Sequence, residues 1–541
     1  MVKLSTIIHW VSVIVIIWVL VTLSAILTLP SSPSGLLRGN ILGIDRESSL
    51  TYPLPSPGSY CASWSKSSDK SFWSDLASAY ASKKVQSSGW SLLPTNKNGV
   101  ALISSDSVYG NYSALRWAMV NNVKEQTNTQ LFLVPLKANL IFTRMYVFKD
   151  DEGNNLQTAR LGIDYACDGQ LFNHIPGASA FCRKDYLQMY FLDYEKRYEE
   201  IGQEQCYYSI TPKSFLLSQP DHCLRFLKVL ETMMDKYNET SWPIEWITKN
   251  ALRHKGYGIK LVDFELAHYF YTLYGANPES CYSIDKEHQQ MIIQKYISNP
   301  ALIEGRKFDF RVFVFCLNAD PLVVGWAPNN GHTRLSDQVY DEFSNDFTTH
   351  ITANVAGQNP ESLEFLKKYR FNLREIGEYF KDQIGDVDTW LSTIAYPKVK
   401  RILIHMFRAS QQNFLIKRSG LFEFYGVDFI MDNTYTNFYL LESNRRPDVQ
   451  EKNPKLQYRE DMIVEDVVRY ADYLMETEGN LESTEEVFSR FTAFERLIDE
   501  TSEDPYLGVL DEPCSKVFKD MNWDLPIDPM IQPLKFYVDN Y

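Results

Sequence analysis

The chain has 541 residues, of which 45% are apolar and 14% aromatic. That length allows three or four structural units, and that composition allows large cores and excludes disorder as the main state. The formal net charge of −14 argues against non-specific nucleic-acid binding, which needs a basic face, though it leaves room for local basic patches.

Residues 4–29 are nearly all apolar and carry no charge. Such a run exceeds the roughly 20 residues that cross a bilayer as a helix and the apolar core of about 7–15 residues in a cleavable signal peptide. We read it as a single-pass membrane anchor, with Leu23-Ser24-Ala25 as the alternative, a cleavage site. Lys3 on one side nearly balances Arg38 and Arg46 on the other, so the positive-inside rule favours a cytoplasmic catalytic body only slightly. Pro30-Ser31-Ser32-Pro33-Ser34-Gly35 then opens a flexible stem over 30–63.

An N-terminal α/β lobe is expected over 64–185. It starts with a Ser-rich, weakly helical stretch over 64–93; a strand begins near Gly99, followed by a helix over 113–127 and a strand over 130–136. A central lobe is expected over 186–290. Its clearest element is an amphipathic helix from Asp221 to Lys236, opened by Pro220, with Leu224, Leu227, Leu230 and Met234 as the core-facing stripe. Strands dominate 245–263 and 291–324. A C-terminal, antiparallel-sheet lobe over 291–480 adds helices at 361–382, 388–416 and 461–477. In the last region, 481–541, Ser483-Thr484-Glu485-Glu486 reads as a capping box. It opens a helix through Val487, Phe488, Phe491, Phe494 and Leu497, and an acidic tail follows. The eight cysteines show no CxxC or metal-ligand spacing. Their even number, Cys167 and Cys182 bracketing one loop, and sequons at Asn111 and Asn238 fit a lumenal body on a membrane stem. Cys316, within a strand, reads as a small apolar residue.

Two segments carry most of the chemistry. In Arg306-Lys307-Phe308-Asp309-Phe310-Arg311-Val312, strand alternation puts Lys307, Asp309 and Arg311 on one face and Phe308, Phe310 and Val312 on the other. Charges on a half-buried strand are expensive unless partnered, so this face is a site candidate. Farther on, Asp428-Phe429-Ile430-Met431 and Phe438-Tyr439-Leu440-Leu441 read as a hairpin around the turn 432–437. Closure with Asn433 opposite Asn437 sets Asp428 opposite Glu442, with Asn444 on the same face. Opposed Cβ atoms lie about 5 Å apart, so the two carboxylates repel unless a cation lies between them. Asp, Glu and an Asn carbonyl suit Mg²⁺ completed by substrate phosphates. The plainer alternative is a solvent-facing hairpin edge. Upstream, Trp246-Ile247-Thr248-Lys249 and Gly256-Tyr257-Gly258 read as a strand and a glycine loop that lets backbone N–H groups approach phosphates. No Walker or GxGxxG sequence is present.

Taken together these pieces resemble the tubulin tyrosine ligase-like family, over roughly residues 100–475. The matching motifs are Phe172-Asn173-His174-Ile175-Pro176-Gly177 with Arg183-Lys184-Asp185, Trp246 to Ile259, Gln294-Lys295-Tyr296-Ile297 with Asn299-Pro300, Gly305 to Arg311, Phe422 to Asp428, and Leu441-Glu442-Ser443-Asn444. The resemblance implies an ATP-grasp fold of mixed α/β (α+β) class and an amino-acid ligase that works through an acyl phosphate with ATP and Mg²⁺. It implies Lys184, Lys249, Gly256, Gly258 and Lys307 at phosphates, Gln294, Tyr296 and Ile297 at adenine, and Asp309 at ribose, with Thr352 also on the nucleotide. Asp428, Glu442 and Asn444 would hold metal, Arg311 would steady the acyl phosphate, and Arg334 would clamp a carboxylate, a fork geometry that Lys cannot copy. The chain departs from the family pattern at Asn250, where the family has proline, at His350-Ile351-Thr352-Ala353, which lacks an Asn, and at Arg445-Arg446-Pro447, which adds charge beside the metal residues. The expected partners are a free amino acid and an acidic protein tail, with tubulin polyglutamylation as one form of the reaction. The rivals are a lumenal ligase with another substrate and a catalytically silent binding module on a membrane stem.

Overall fold

The computed structural model describes short strands between residues 90 and 157 and then most of 171–520, with the longest breaks at 276–290 and 353–364. The expected anchor and stem lie outside the described residues, as do nearly all of the helix 113–127 and the strand 130–136. Among the described residues no helix is long and apolar enough to cross a membrane.

Among the described residues, seven short strands open the fold: β1 (Trp90–Pro94), β2 (Val100–Ser104), β3 (Thr127–Asn128), β4 (Leu140–Phe142), β5 (Val147–Lys149), β6 (Asn155–Gln157) and β7 (Leu171–Phe172). β1 is strand where a helical tendency was expected. The order β3-β1-β2-β4-β7 makes a five-stranded sheet, parallel across β2, β4 and β7, and β5 pairs with β6 separately. β7 also ties this sheet to the C-terminal part, because Phe172 N donates to Gly420 O at 2.9 Å.

The central sheet has the order β10-β9-β11-β8, with β8 (Ser214–Leu216), β9 (Trp246–Asn250), β10 (Lys260–Leu261) and β11 (Met291–Lys295). β11 belongs to this sheet although it lies past the expected boundary at 290. The first described helix, α1 (Lys184–Glu200), likewise runs through the expected boundary at 185. On one face of the sheet, Trp246 and Ile293 pack against α2 (Pro220–Lys236) and α3 (Phe264–Gly275). The buried stripe of α2 is Cys223, Phe226, Leu227, Leu230 and Met233, while Leu224 is exposed. The helix is therefore rotated from the expected stripe, because Phe226 fills the space beside Phe215 and Trp246.

The C-terminal sheet has the order β16-β15-β13-β14-β17, with β12 (Leu302–Ile303) beside β13 (Arg306–Ala319). β13 lies between β14 (Leu322–Leu335) and β15 (Glu423–Met431), and β16 (Phe438–Arg445) is the far strand. Phe308, Phe310, Val312, Val314 and Cys316 enter one core with the helix Tyr396–Ser410. Phe313, Phe315 and Leu317 enter another with the helix Pro454–Glu476. Each fully buried Phe contributes roughly 1.5–3 kcal/mol of burial.

Three helical expectations are corrected. The one over 361–382 is interrupted before Leu373, because Asn372 caps a new helix and exchanges hydrogen bonds with Glu375. The one opened by Ser483 ends at Arg490. There the carboxylate of Asp466 accepts backbone N–H bonds from Thr492, Ala493 and Phe494, which turns the chain into β17 (Glu495–Asp499) along the edge of β14. The expected tail contains one more helix, Glu512–Asp520.

Candidate active site

The central and C-terminal sheets present their polar faces to one cavity of about 370 Å³. Ile247, Lys249 and Gln294 line it from the central sheet; Lys307, Asp309, Arg311, Arg334, Asp428, Glu442 and Asn444 line it from the other. Lys184, Gly256, Tyr296, Ile297 and Thr352 complete it, so every expected site residue except Gly258 is on its wall. Gly258 instead closes the turn: its carbonyl accepts from Asn250 N at 3.3 Å, and both loop glycines have a φ of +77°, which disfavours a side chain.

The acidic corner depends on a bulge. The hairpin closes one residue away from the expected register, with Asp432 N donating to Asn437 O and Met431 paired with Phe438. Carried on unchanged, that register would set Leu441 opposite Asp428, since a one-residue slip flips side chains to the other face. A register shift between Phe429 and Asp428 absorbs Leu441, and Glu442 comes opposite Asp428, with Asn444 opposite Gly426.

Asp428 is fully buried, and Arg311 holds it with two bonds of 2.7 and 2.9 Å. Gly426 makes this possible: a Cβ there would lie 3.0 Å from Arg311 Cδ and 2.8 Å from Pro447 Cβ. Arg334 bridges the two strands, donating to Asp309 at 2.7 Å and to Asp428 at 2.8 Å. Thr352 donates its hydroxyl to the other oxygen of Asp309. Asn444 Nδ2 lies 3.1 Å from both Asp428 and Glu442, and Lys184 Nζ lies 3.3 Å from Glu442. Lys184 is set by its neighbours, since Arg183 forks onto Asp185 with two 2.8 Å bonds just as α1 begins. Burial raises the Asp428 carboxyl despite Arg311 and Arg334. Burial also acts to raise Glu442, but Lys184, Arg334 and the Asn444 amide together hold it below the ordinary range.

The cavity lysines come from both sheets, Lys249 from the central one and Lys307 from the C-terminal one. Lys249 Nζ donates to Gln294 Oε1 at 2.6 Å, and Gln294 donates on to Ser214 Oγ at 3.0 Å. Burial lowers Lys249 to about 8, and it lowers Lys307 well below the lysine range, with Lys249 adding repulsion. Lys307 Nζ sits 3.7 Å from the centre of the Tyr296 ring, a cation–π contact. Tyr296 Oη and His350 Nδ1 are 2.7 Å apart, and His350 also lines the cavity.

The matched residues 164–480 fit the model of the Tubulin-tyrosine ligase family, over more than half of the chain. The chain belongs to this family. Tubulin glycylase 3C of Tetrahymena thermophila is 30% identical over 242 residues, which is 43% of this chain and 21% of the relative. Probable alpha-tubulin polyglutamylase Ttll1 of the same organism is 28% identical over 300 residues, 52% of this chain and 66% of the relative. Inactive polyglycylase TTLL10 of Homo sapiens is 28% identical over 164 residues, 29% and 24% respectively. The chain thus spans about a fifth to two thirds of the length of these relatives.

The mixed α/β architecture with antiparallel sheets is consistent with that family. No role at the site was expected for Asn250, Lys295 and His350, which line the cavity, or for Ser214, which holds Gln294. The signal for His350 was present, since it opens the four-residue motif that contains Thr352. Ser214 had no comparable signal, because its reach to Gln294 depends on how β8 and β11 pair. Arg445, the charged departure after Asn444, ends β16 opposite Tyr425 and does not line the cavity; Arg446 lies outside the described residues. Among the described residues no three His, Cys, Asp or Glu side chains gather as a metal cluster. Asp428, Glu442 and the Asn444 amide are still hard-oxygen donors of the kind Mg²⁺ accepts when phosphates supply the remainder. In this structure Arg311, Arg334 and Lys184 supply the positive charge beside Asp428 and Glu442.

Proposed function

We propose that the protein is an ATP- and Mg²⁺-dependent carboxylate–amine ligase with the ATP-grasp fold, held at a membrane by residues 4–29. It adds amino acids to an acidic protein chain, and tubulin is the first acceptor to test. The observation that carries this reading is a charge excess. Lys184, Lys249, Lys307, Arg311 and Arg334 face only Asp309, Asp428 and Glu442 in one cavity of a chain whose net charge is −14. Two of those lysines are pressed toward neutrality by burial, and a polyanion beside them would restore their charge. The names of the relatives, tubulin glycylases and a polyglutamylase among them, support ligation to tubulin.

In the reaction a carboxylate oxygen of the acceptor attacks the γ-phosphorus of ATP, the bond to the ADP oxygen breaks, and an acyl phosphate forms. The incoming amine then attacks the acyl carbon, phosphate leaves, and the nitrogen gives up one proton. Lys184, Lys249 and Lys307 would neutralise phosphate charge from two walls. Gln294 and the backbone at Tyr296 and Ile297 would take the adenine edge, and Asp309 the ribose. Arg311, fixed over Gly426, is positioned to steady the acyl phosphate. Arg334 would exchange one of its carboxylates for that of the substrate. Mg²⁺ held by Asp428, Glu442 and Asn444 would supply charge neutralisation in phosphoryl transfer.

The test is incubation of the full-length chain with ATP, Mg²⁺, tubulin and labelled Glu, Gly or Tyr. Labelled tubulin is expected with one of the three. Glu442→Gln should reduce it by roughly 100-fold while the protein stays folded, with some loss of stability because the ion pair with Lys184 is removed. A Glu442→Gln protein that ligates at the wild-type rate would mean that the metal corner is misassigned. No labelling by any of the three amino acids would remove tubulin as acceptor.

A further inference from the structure

Two features that are not part of the cavity wall bear on the compartment in which this body folds. The first is a disulfide between Cys206 and Cys514, which are 308 residues apart in sequence. Cys206 ends the turn that follows α1, and Cys514 lies in the helix Glu512–Asp520, so the bond fastens the end of the described chain to its middle. Cys223, on the buried face of α2, is disulfide-bonded as well. Cys182, by contrast, keeps its thiol, which donates to Ala178 O at 3.8 Å. Disulfides persist in oxidising compartments and are rare where thioredoxin and glutathione keep thiols reduced.

The second feature is the sequon Asn238-Glu239-Thr240, exposed just after α2. Asn238 Oδ1 accepts from the Thr240 amide at 3.1 Å, the Thr240 hydroxyl at 2.8 Å and the Ser241 amide at 3.1 Å. The side-chain oxygen is thus committed to the turn, and among the described residues no hydrogen bond engages Nδ2. Asn238 is also absent from the wall of the cavity, so a bulky group there would leave the cleft open.

We infer that the folded body of this protein matures in an oxidising lumen and carries an N-linked glycan on Asn238. Asn238 Nδ2 forms the bond to the anomeric carbon of the sugar, the bond from that carbon to the diphosphate of a lipid-linked oligosaccharide breaks, and the amide loses one proton. Closing Cys206–Cys514 removes two protons and two electrons, taken up by the disulfide of a thiol oxidoreductase. The near balance of positive charges around residues 4–29 is compatible with this side of the membrane. The inference does not depend on the ligase reading. Where both hold, the acceptor in the cell is a secretory or cell-surface protein, and tubulin labelled in the purified reaction is a test acceptor that offers the same acidic-chain chemistry.

The experiment is peptide mass mapping of the full-length chain, expressed in cells that perform N-glycosylation and lysed with thiols blocked. Asn238 is expected to be read as Asp only after enzymatic glycan release. Thr240→Ala should abolish that conversion and Thr240→Ser should retain it; neither removes the bond from Ser241 N to Asn238. A peptide linking Cys206 to Cys514 is expected without reductant. Unmodified Asn238 in the wild-type protein, or blocked thiols at both Cys206 and Cys514, would overturn the inference. Neither arm reads ligation, so failure here leaves the assignment of the cavity standing, and failure of ligation leaves this one.

Discussion

One face of β13 changes character at Arg311. Before it, Lys307, Asp309 and Arg311 point into the cavity; beyond it, Phe313, Phe315 and Leu317 continue the same face into the core beneath the helix Pro454–Glu476. Both halves are buried, with Asp309 2% exposed and Phe315 0%. Burial therefore does not separate site from core, whereas compensation does. Each charge in the first half has an opposite charge or a ring against it, and the second half packs among aliphatic and aromatic side chains. The apolar half should fix stability, and the charged half should fix binding.

Phe315→Ala removes a ring packed against Phe422, Tyr470, Phe491 and Phe494. It should cost about 3–5 kcal/mol in denaturant unfolding while the folded fraction binds ATP with unchanged affinity. A matching loss of ATP affinity would break the comparison. Arg311→Ala should cost about 3 kcal/mol, at the low end for a broken buried pair because Arg334 still holds Asp428, and ligation should be lost with it.

The charged wall also predicts a pH signature. The folded-state pKa of Lys249 is lowered from 10.5 to about 8 by burial, so the unfolded chain binds more protons between those values. Stability is therefore reduced below about pH 8 and should rise from there toward 10.5, by at most ~3 kcal/mol. Lys249→Met should flatten that rise in a comparison of unfolding curves at pH 7.5 and 10. Lys307→Met should not destabilise the protein at neutral pH and should raise its stability there, because burial lowers this lysine as well and the unfolded chain holds the proton more tightly. The same change should weaken ATP binding by roughly tenfold or more, measured by calorimetry.

Much of this contrast was legible from residue order. Strand parity alone separates Lys307, Asp309 and Arg311 from Phe308, Phe310 and Val312, and it needs no partner strand to be known. Features that depend on distant contacts were not. The bulge at Leu441 leaves no local mark, yet it decides which residue faces Asp428. Phe491, Phe494 and Leu497 have helical spacing, but Asp466, on another helix, claims the backbone N–H groups that a continuing helix would use. Leu224 looks like core until Phe226 takes the space beside Trp246. The partner of Cys206 could not be read from spacing, because loop closure over 308 residues is set by the fold.

The central claim is that the two walls form one metal–nucleotide site, and titration calorimetry of ATP onto the full-length chain with and without Mg²⁺ tests it most directly. We expect saturable binding that Mg²⁺ strengthens in the wild-type protein and does not strengthen in a folded Glu442→Gln variant. ATP binding that is absent, or that responds to Mg²⁺ equally in both proteins, would contradict the account.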